Sequence, residues 1–392
     1  MATPPKRRWI NRVLTATGNR LFRPSLYIFW LSLLAASFFA LTFYVNRRFS
    51  ARERQLSAYR FQQAQTLLGE GKTKDAILDL RAALLYSHNN PEYSFSLAQA
   101  LASANQTLEA RSYFVNLLQD EPGNASINLE LARLAAKDND AAGAVRYFNS
   151  AIYGTWEADP ILRRQQVRQE LINFLIAKGL KTQARGELLT FTAEMPNNSN
   201  SQLWAARAFT RLADDRSALD FYAAALHSDR RNLAAILGAG WSAFRLGRQR
   251  EALEYFKGAD SIHQDPATSQ MIELVSLVID LNPFESRLPA AERRHRVILA
   301  MDIIDHRLQQ CAEAQQVALE KTGGNSLQMD RSQWMYLDKR VRVAYKNADL
   351  VQLLAPIATL VTSIEQQNGC GSATPNDQAM LRIYQNGEEL RP

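Results

Sequence analysis

A small residue recurs along this chain on a 34-residue grid, and a period of that length constrains the fold more than any local propensity does. Ala76, Ala110, Ala144, Ala184, Ala218 and Ala252 stand on the grid, with one longer step of 40 residues between Ala144 and Ala184. Four residues after each comes Leu80, Phe114, Phe148, Leu188, Tyr222 or Phe256; five residues before each comes Gly71, Asn105, Asn139, Gly179, Ala213 or Gly247. The small residue lets two helices approach, and the large one a helical turn later fills the space beside the contact. Five of the six turn residues tolerate a left-handed backbone, so each grid point predicts a helical hairpin. Two consecutive units between Ser199 and Pro266 read almost in register. Trp204, Ala205, Ala206 and Phe209 precede a break at Asp214 and Asp215, and Ala218, Tyr222, Ala225 and Leu226 follow it; the next unit repeats this with Gly240, Ala243, Gly247, Ala252, Phe256 and Ala259.

With this period and this order of helix, tight turn and helix, residues 57 to 266 resemble the tetratricopeptide repeat family. The motif is degenerate: the proline that closes a unit stands at Pro122 and Pro196, while His88, Arg230 and Gln264 hold the corresponding places elsewhere. The resemblance implies an all-α fold, a solenoid of six repeats whose first helices line a concave groove for protein partners. Carried over repeat by repeat, the inward positions are Phe61 and Gln65; Phe95 and Gln99; Leu129, Arg133 and Lys137; Gln169 and Asn173; Leu203, Arg207 and Arg211; and Leu237, Trp241, Phe244 and Arg245. Arg133 with Lys137, and Arg207 with Arg211, are spaced four apart on one helical face and repel unless an anion lies between them. The expected ligand is an extended acidic segment or a C-terminal carboxylate. Solvation of the groove, with ion pairs to neighbouring helices, is the alternative use of the same arginines. Some relatives clamp a carboxylate with Lys, two Asn, then Lys and Arg; Arg133 and Lys137 match, but Phe61, Gln65 and Gln99 do not, which argues against chaperone-tail binding.

The net charge of +7 suggests nucleic acid until it is located: of 46 Lys and Arg, ten lie in residues 1 to 54, against Glu53 alone among 39 acids. Beyond position 54 the balance is 36 basic to 38 acidic, or −2, so the body has no overall positive field to draw nucleic acid. Residues 26 to 45 carry no charge, enough at about 1.5 Å each to cross a hydrocarbon layer of about 30 Å. Tyr27, Trp30 and Tyr44 lie towards the ends, where amphipathic rings favour the interface. The stretch begins deep in the chain and lacks a small-x-small site after it, as a retained anchor would. Lys6, Arg7, Arg8, Arg12, Arg20 and Arg23 precede it, and Arg47, Arg48, Arg52 and Arg54 follow. Six basic residues against four favour a cytoplasmic N-terminus and an extracytoplasmic body; lipid binding by Arg47 and Arg48 would favour the reverse.

Five segments are expected: a basic region 1–25, a transmembrane helix 26–45, a charged helical stalk 46–56, six repeats 57–266 and a divergent helical cap 267–392. The long step falls at Thr155 to Pro160, where Asp159 can cap and Pro160 start a helix to Ala177; a wholly helical insert would lengthen it by about 9 Å. After Pro266, helices are expected near 291–319, 333–345 and 350–366, with breaks at Asn282-Pro283, Pro289, Gly323-Gly324 and Asn347, and a frayed polar end over the last dozen residues. Cys311 ends an apolar stripe, and Cys370, in Asn368-Gly369-Cys370-Gly371, reads as an exposed loop position. In an oxidising compartment the two could pair; in the cytosol they would be free thiols.

No histidine stands in a metal or nucleophile motif, and no glycine-rich phosphate loop is present. Asp302, Asp305 and His306 share one helical face at spacings of three and four, a pattern that a solvated surface also produces. The asparagines of the sequons at Asn105, Asn124 and Asn197 read as turn chemistry. Neither cofactor nor metal is implied. The expected function is a non-enzymatic, membrane-anchored scaffold, which the resemblance links to envelope assembly, secretion or polysaccharide export. Two alternatives are a cap enzyme gated by the array and a cytosol-facing import or chaperone receptor.

Overall fold

The computed structural model describes residues 18–285, 287–320, 324–367 and 370–389, with side chains from position 27 onward except at 50 and 386–389. The basic region before position 18, and Gly323, Asn368 and Gly369 of the expected C-terminal breaks, lie outside the described residues. Among those residues every named element is a helix, and the chain divides into two units, Met1–Arg168 and Gln169–Pro392.

The first unit holds α1 (Gly18–Gly69), α2 (Thr73–Tyr86), α3 (Pro91–Ser103), α4 (Thr107–Asp120), α5 (Ala125–Lys137), α6 (Ala141–Tyr153) and the first half of α7 (Pro160–Ala177). With no Gly or Pro between Val45 and Gly69 to break it, the apolar stretch runs straight into the first repeat as one helix of 52 residues, roughly 78 Å long. Its repeat portion is locked against α2 and α3. Ser57 Oγ donates to the Ala83 carbonyl at 3.0 Å, Arg60 pairs with Asp79 at 2.8 Å, and the Phe61 ring stacks on Tyr93 at 4.5 Å.

Each hairpin reverses through the same device. The left-handed residue donates its N–H three residues back and its successor donates five back, as at Gly71 N to Leu68 O (3.0 Å) and Lys72 N to Leu67 O (2.9 Å). The pair recurs at Asn105, Asn139, Gly179, Ala213 and Gly247, and all six turn residues have φ between 59° and 75°. The six grid alanines are fully buried, and the large side chains four residues on are no more than 4% exposed. First helices start on a side-chain cap: Asn90, Asn124, Asn198 and Asn232 accept from Tyr93, Ile127, Ser201 and Ala235 N–H groups. Each such cap contributes about 0.5–2 kcal/mol.

The insert is only partly helical, which corrects the expected extension. α7 has 18 residues against 13 in α5, a gain of about 7.5 Å. The remainder is extended: Thr155 N–H donates to Gly123 O at 2.9 Å, Ala125 N–H donates to Thr155 O at 3.1 Å, and the Trp156 indole donates to Ala151 O at 3.0 Å.

The second unit holds the rest of α7, then α8 (Lys181–Glu194), α9 (Ser199–Arg211), α10 (Asp215–Ser228), α11 (Leu233–Arg245), α12 (Gln249–Ile262), α13 (Pro266–Leu281), α14 (Ala290–Gln315), α15 (Ser326–Val343), α16 (Asn347–Glu365) and α17 (Pro375–Glu389). From α13 onward the helices share one core that includes Val297, Leu308, Leu353, Ile357 and Tyr384. α16 is apolar enough to pass as a membrane span, but most of its apolar side chains, among them Leu350, Leu353, Ile357 and Ile364, lie in this core. Of the expected frayed end, 390–392 lie outside the described residues, and the part before them is corrected. α17 runs to Glu389 and buries Ala379, Met380, Ile383 and Tyr384, because four apolar residues at helical spacing outweigh the polar average of the segment.

Candidate partner-binding faces

In the first unit, α3 and α5 present their outward sides to an open cleft of about 470 Å³ lined by Leu68, Gln99, Ser103, Glu130, Arg133, Leu134 and Lys137. Gln99 Nε2 donates to Glu130 Oε1 at 3.0 Å, and Arg133 Nη1 donates to the same oxygen at 3.2 Å. Arg133 is therefore neutralised from within the wall, and its repulsion of Lys137 does not require a bound anion. Lys137 is exposed and makes no ion pair among the described residues. It also sits in the last turn of α5, where the helix dipole favours a cation. Phe61 and Phe95 are half-buried, Phe61 against Tyr93 and Phe95 edge-on to Phe114 at 5.5 Å, so they serve packing between hairpins as much as a groove floor.

In the second unit, Arg211 Nη1 donates to Asn173 Oδ1 at 2.7 Å, which links the first helices of two successive repeats. Arg207, one turn earlier on α9, is exposed and unpaired among the described residues. Trp241 is 40% exposed and meets Phe244 at 6.2 Å and Phe256 at 5.6 Å, edge to face. Two inward positions are corrected. Phe244 is only 8% exposed, because the Arg382 guanidinium lies 4.7 Å over its ring and donates to the Phe244 carbonyl at 2.9 Å and that of Arg245 at 3.3 Å. Arg245 turns to Asp215 at 2.7 Å instead of standing free. Arg382 thus caps the C-terminal carbonyls of α11 from α17, far away in the chain. No sequence signal separates it from the other charges of a polar C-terminus.

The carboxylates of the Asp302, Asp305 and His306 face are engaged: Asp305 pairs with Arg331, and Asp302 lies 3.5 Å from Arg342. Among the described residues no three His, Cys, Asp or Glu groups could hold a metal ion. Cys311 and Cys370 form a disulfide with their Cα atoms 4.0 Å apart. Cys370 is buried, which corrects its reading as an exposed loop residue; Arg307 Nη1 donates to its carbonyl at 3.2 Å. The same buried guanidinium binds Glu365 at 3.0 Å and stands 4.0 Å from Asp377, so the tether and the start of α17 share one ionic knot. Nearby, burial pushes the Asp330 carboxyl above its usual range, opposed by hydrogen bonds from Ser363 at 2.8 Å and Gln367 at 3.1 Å.

Six hairpins closed by one turn motif, with small and large residues alternating at their seams, define a helical-repeat solenoid of the tetratricopeptide type. Solved structures with this fold are similar to the chain at low identity. A C-terminal part of a TPR repeat-containing protein from Cytophaga hutchinsonii has 10% identity, covers 60% of this chain and 92% of its own, and gives a TM-score of 0.45. A tetratricopeptide repeat protein from Parabacteroides merdae has 14% identity, 63% and 91% coverage and a TM-score of 0.41. YrrB, described as a TPR protein with an unusual peptide-binding site, has 16% identity, 48% and 95% coverage and a TM-score of 0.38. No family model matches the chain, and no curated protein does.

Proposed function

We propose that this chain is a non-enzymatic scaffold, held in a membrane by residues 26–45, that binds a protein partner on the first-helix faces of repeats spanning residues 57–266. Residues 267–392 close the apolar end of the array, which a solenoid needs for solubility. The observation that carries the reading is the pair of open cations on those faces. Among the described residues, Lys137 in the first unit and Arg207 in the second have no counter-charge, whereas Arg133, Arg211 and Arg245 have hydrogen-bonded partners of their own. Lys137 lies beside Gln99 and Ser103 in its cleft, a setting that suits a carboxylate of an extended acidic segment. Trp241 offers an apolar surface in the second unit.

The disulfide supports a body on the extracytoplasmic side with the N-terminus in the cytoplasm, since disulfides persist outside the reducing cytosol. The unbroken α1 supports rigid attachment, because no flexible linker separates the apolar stretch from the first repeat. The test is capture by the full chain in detergent, with co-purifying proteins quantified by mass spectrometry. Lys137→Glu combined with Arg207→Glu is expected to strip the acidic partner while leaving the helical signal unchanged. An unaltered profile would remove the support for binding on these faces.

A further inference from the structure

The large apolar side chains that the second unit leaves exposed concentrate between Met329 and Val351, outside the repeats. On α15, Met329, Tyr336 and Val343 are 58%, 60% and 68% exposed, and their seven-residue spacing sets them in one line about 21 Å long. The opposite side of α15 is anchored, with Leu327, Leu337 and Val341 in the core, so the line cannot turn inward.

The charge beside this line is positive. Lys339 and Arg340 stand between Tyr336 and Val343, and Lys346 lies three residues past α15, at the start of α16. Arg340 donates to the Tyr336 hydroxyl at 3.3 Å and lies 5.8 Å from its ring, which steadies the aromatic in the middle of the line. Lys339 and Lys346 are exposed and form no ion pair among the described residues. The acids of the same helix are already used: Asp338 binds Arg342 at 2.8 Å, and Asp330 is buried under Ser363 and Gln367.

Width separates the candidate occupants. A helix that lies in a lipid surface shows a broad apolar face of about 100° or more, whereas here Ser332 and Lys339 interrupt the apolar residues every other turn. One apolar residue per heptad is half of the two-per-heptad seam by which helices pack, so a partner helix here would rely on the flanking charges as well as on its apolar residues. A second copy aligned in parallel would set Lys339 and Arg340 against their own equivalents.

We propose that the outward face of α15 docks an acidic amphipathic helix of a protein partner. The partner's apolar residues meet Met329, Tyr336 and Val343, and its carboxylates meet Lys339 and Arg340. The inference stands on α15 alone and does not depend on binding to the repeats.

The test places the full chain in nanodiscs of neutral phosphatidylcholine and titrates two labelled, synthetic three-heptad helices by fluorescence anisotropy, one flanked by Glu and one by Lys. The Glu helix is expected to bind about tenfold more tightly than the Lys helix. Tyr336→Glu is expected to weaken both helices, and the pair Lys339→Glu and Arg340→Glu to reverse the preference. All three positions are exposed, and matched thermal melts confirm that the variants fold. Equal binding of the two helices, or binding indifferent to Tyr336→Glu, overturns the proposal. So does hydrogen-exchange protection of α15 that appears only in anionic phosphatidylglycerol discs, which would assign the face to lipid. A reversible dimer lost on Tyr336→Glu would assign it to a second copy and overturn the proposal equally.

Discussion

Replacing Ala213 by glycine should stabilise the α9–α10 hairpin, although the change removes a methyl group. Ala213 has φ of 59°, where an L side chain costs about 1–2 kcal/mol relative to glycine. Its methyl is exposed and buries nothing, while the two turn hydrogen bonds, Ala213 N to Thr210 O and Asp214 N to Phe209 O, are both 3.0 Å and use backbone atoms alone. Glycine adds about 0.4–1 kcal/mol of unfolded-chain entropy, so the net gain is about 0.5–1 kcal/mol. Gly247 is the internal control. It occupies the same turn one repeat later at φ 75°, and an added Cβ would meet nothing within 4 Å, so Gly247→Ala should lose about what Ala213→Gly gains. Urea unfolding followed by far-UV circular dichroism reads the global change. Hydrogen exchange over residues 205–225 reads the local one, because repeat stability is approximately a sum of neighbouring terms. If Ala213→Gly destabilises the hairpin, or the two variants move in the same direction, the common left-handed turn is not what closes these hairpins.

Tyr384 is 1% exposed with a hydroxyl that has no hydrogen-bond partner among the described residues, so Tyr384→Phe should raise stability by about 1–2 kcal/mol in a thermal melt; a loss of that size would reveal a partner for the hydroxyl. Closing the 59-residue separation between Cys311 and Cys370 corresponds to about 4 kcal/mol in the chain-entropy model, and the double Cys→Ser variant should lose it; a non-reducing peptide map of the wild type must show the cross-linked peptide, and two alkylated cysteines would refute the pairing. Asp330 has a folded pKa raised above 3.8 by burial, so its ionised form is the disfavoured one and stability linked to it is present at low pH and lost as pH rises through the folded value. The stability of wild type relative to Asp330→Asn should therefore increase as pH falls from about 7 to about 4; a difference that is flat with pH would contradict this.

The legible part of the chain was the part governed by neighbours in sequence. The grid of alanines, the six turn positions and the large residues behind them follow from helical spacing and from which residues accept a left-handed backbone, and they appear where the period sets them. The asparagine caps at Asn90, Asn124, Asn198 and Asn232 obey equally local rules, yet only Asn124 stood out in the sequence, and as turn chemistry rather than as a cap. The candidate site was less legible. Arg133 looked like a free cation until Glu130 and Gln99 closed around it, and Phe244 looked like an open floor until Arg382 covered it.

What the sequence determined by itself was the unit, its turn and the long apolar run that continues into the first repeat, because each depends on backbone preference and on side chains within a few residues. What the tertiary structure decided was which charges remain open, which helix end is capped and which apolar line is left uncovered on α15. Those outcomes depend on pairs far apart in the chain, such as Arg382 with Phe244 at a separation of 138 residues. No local pattern encodes such a meeting, since it exists only after the helices have packed and set one side chain against another.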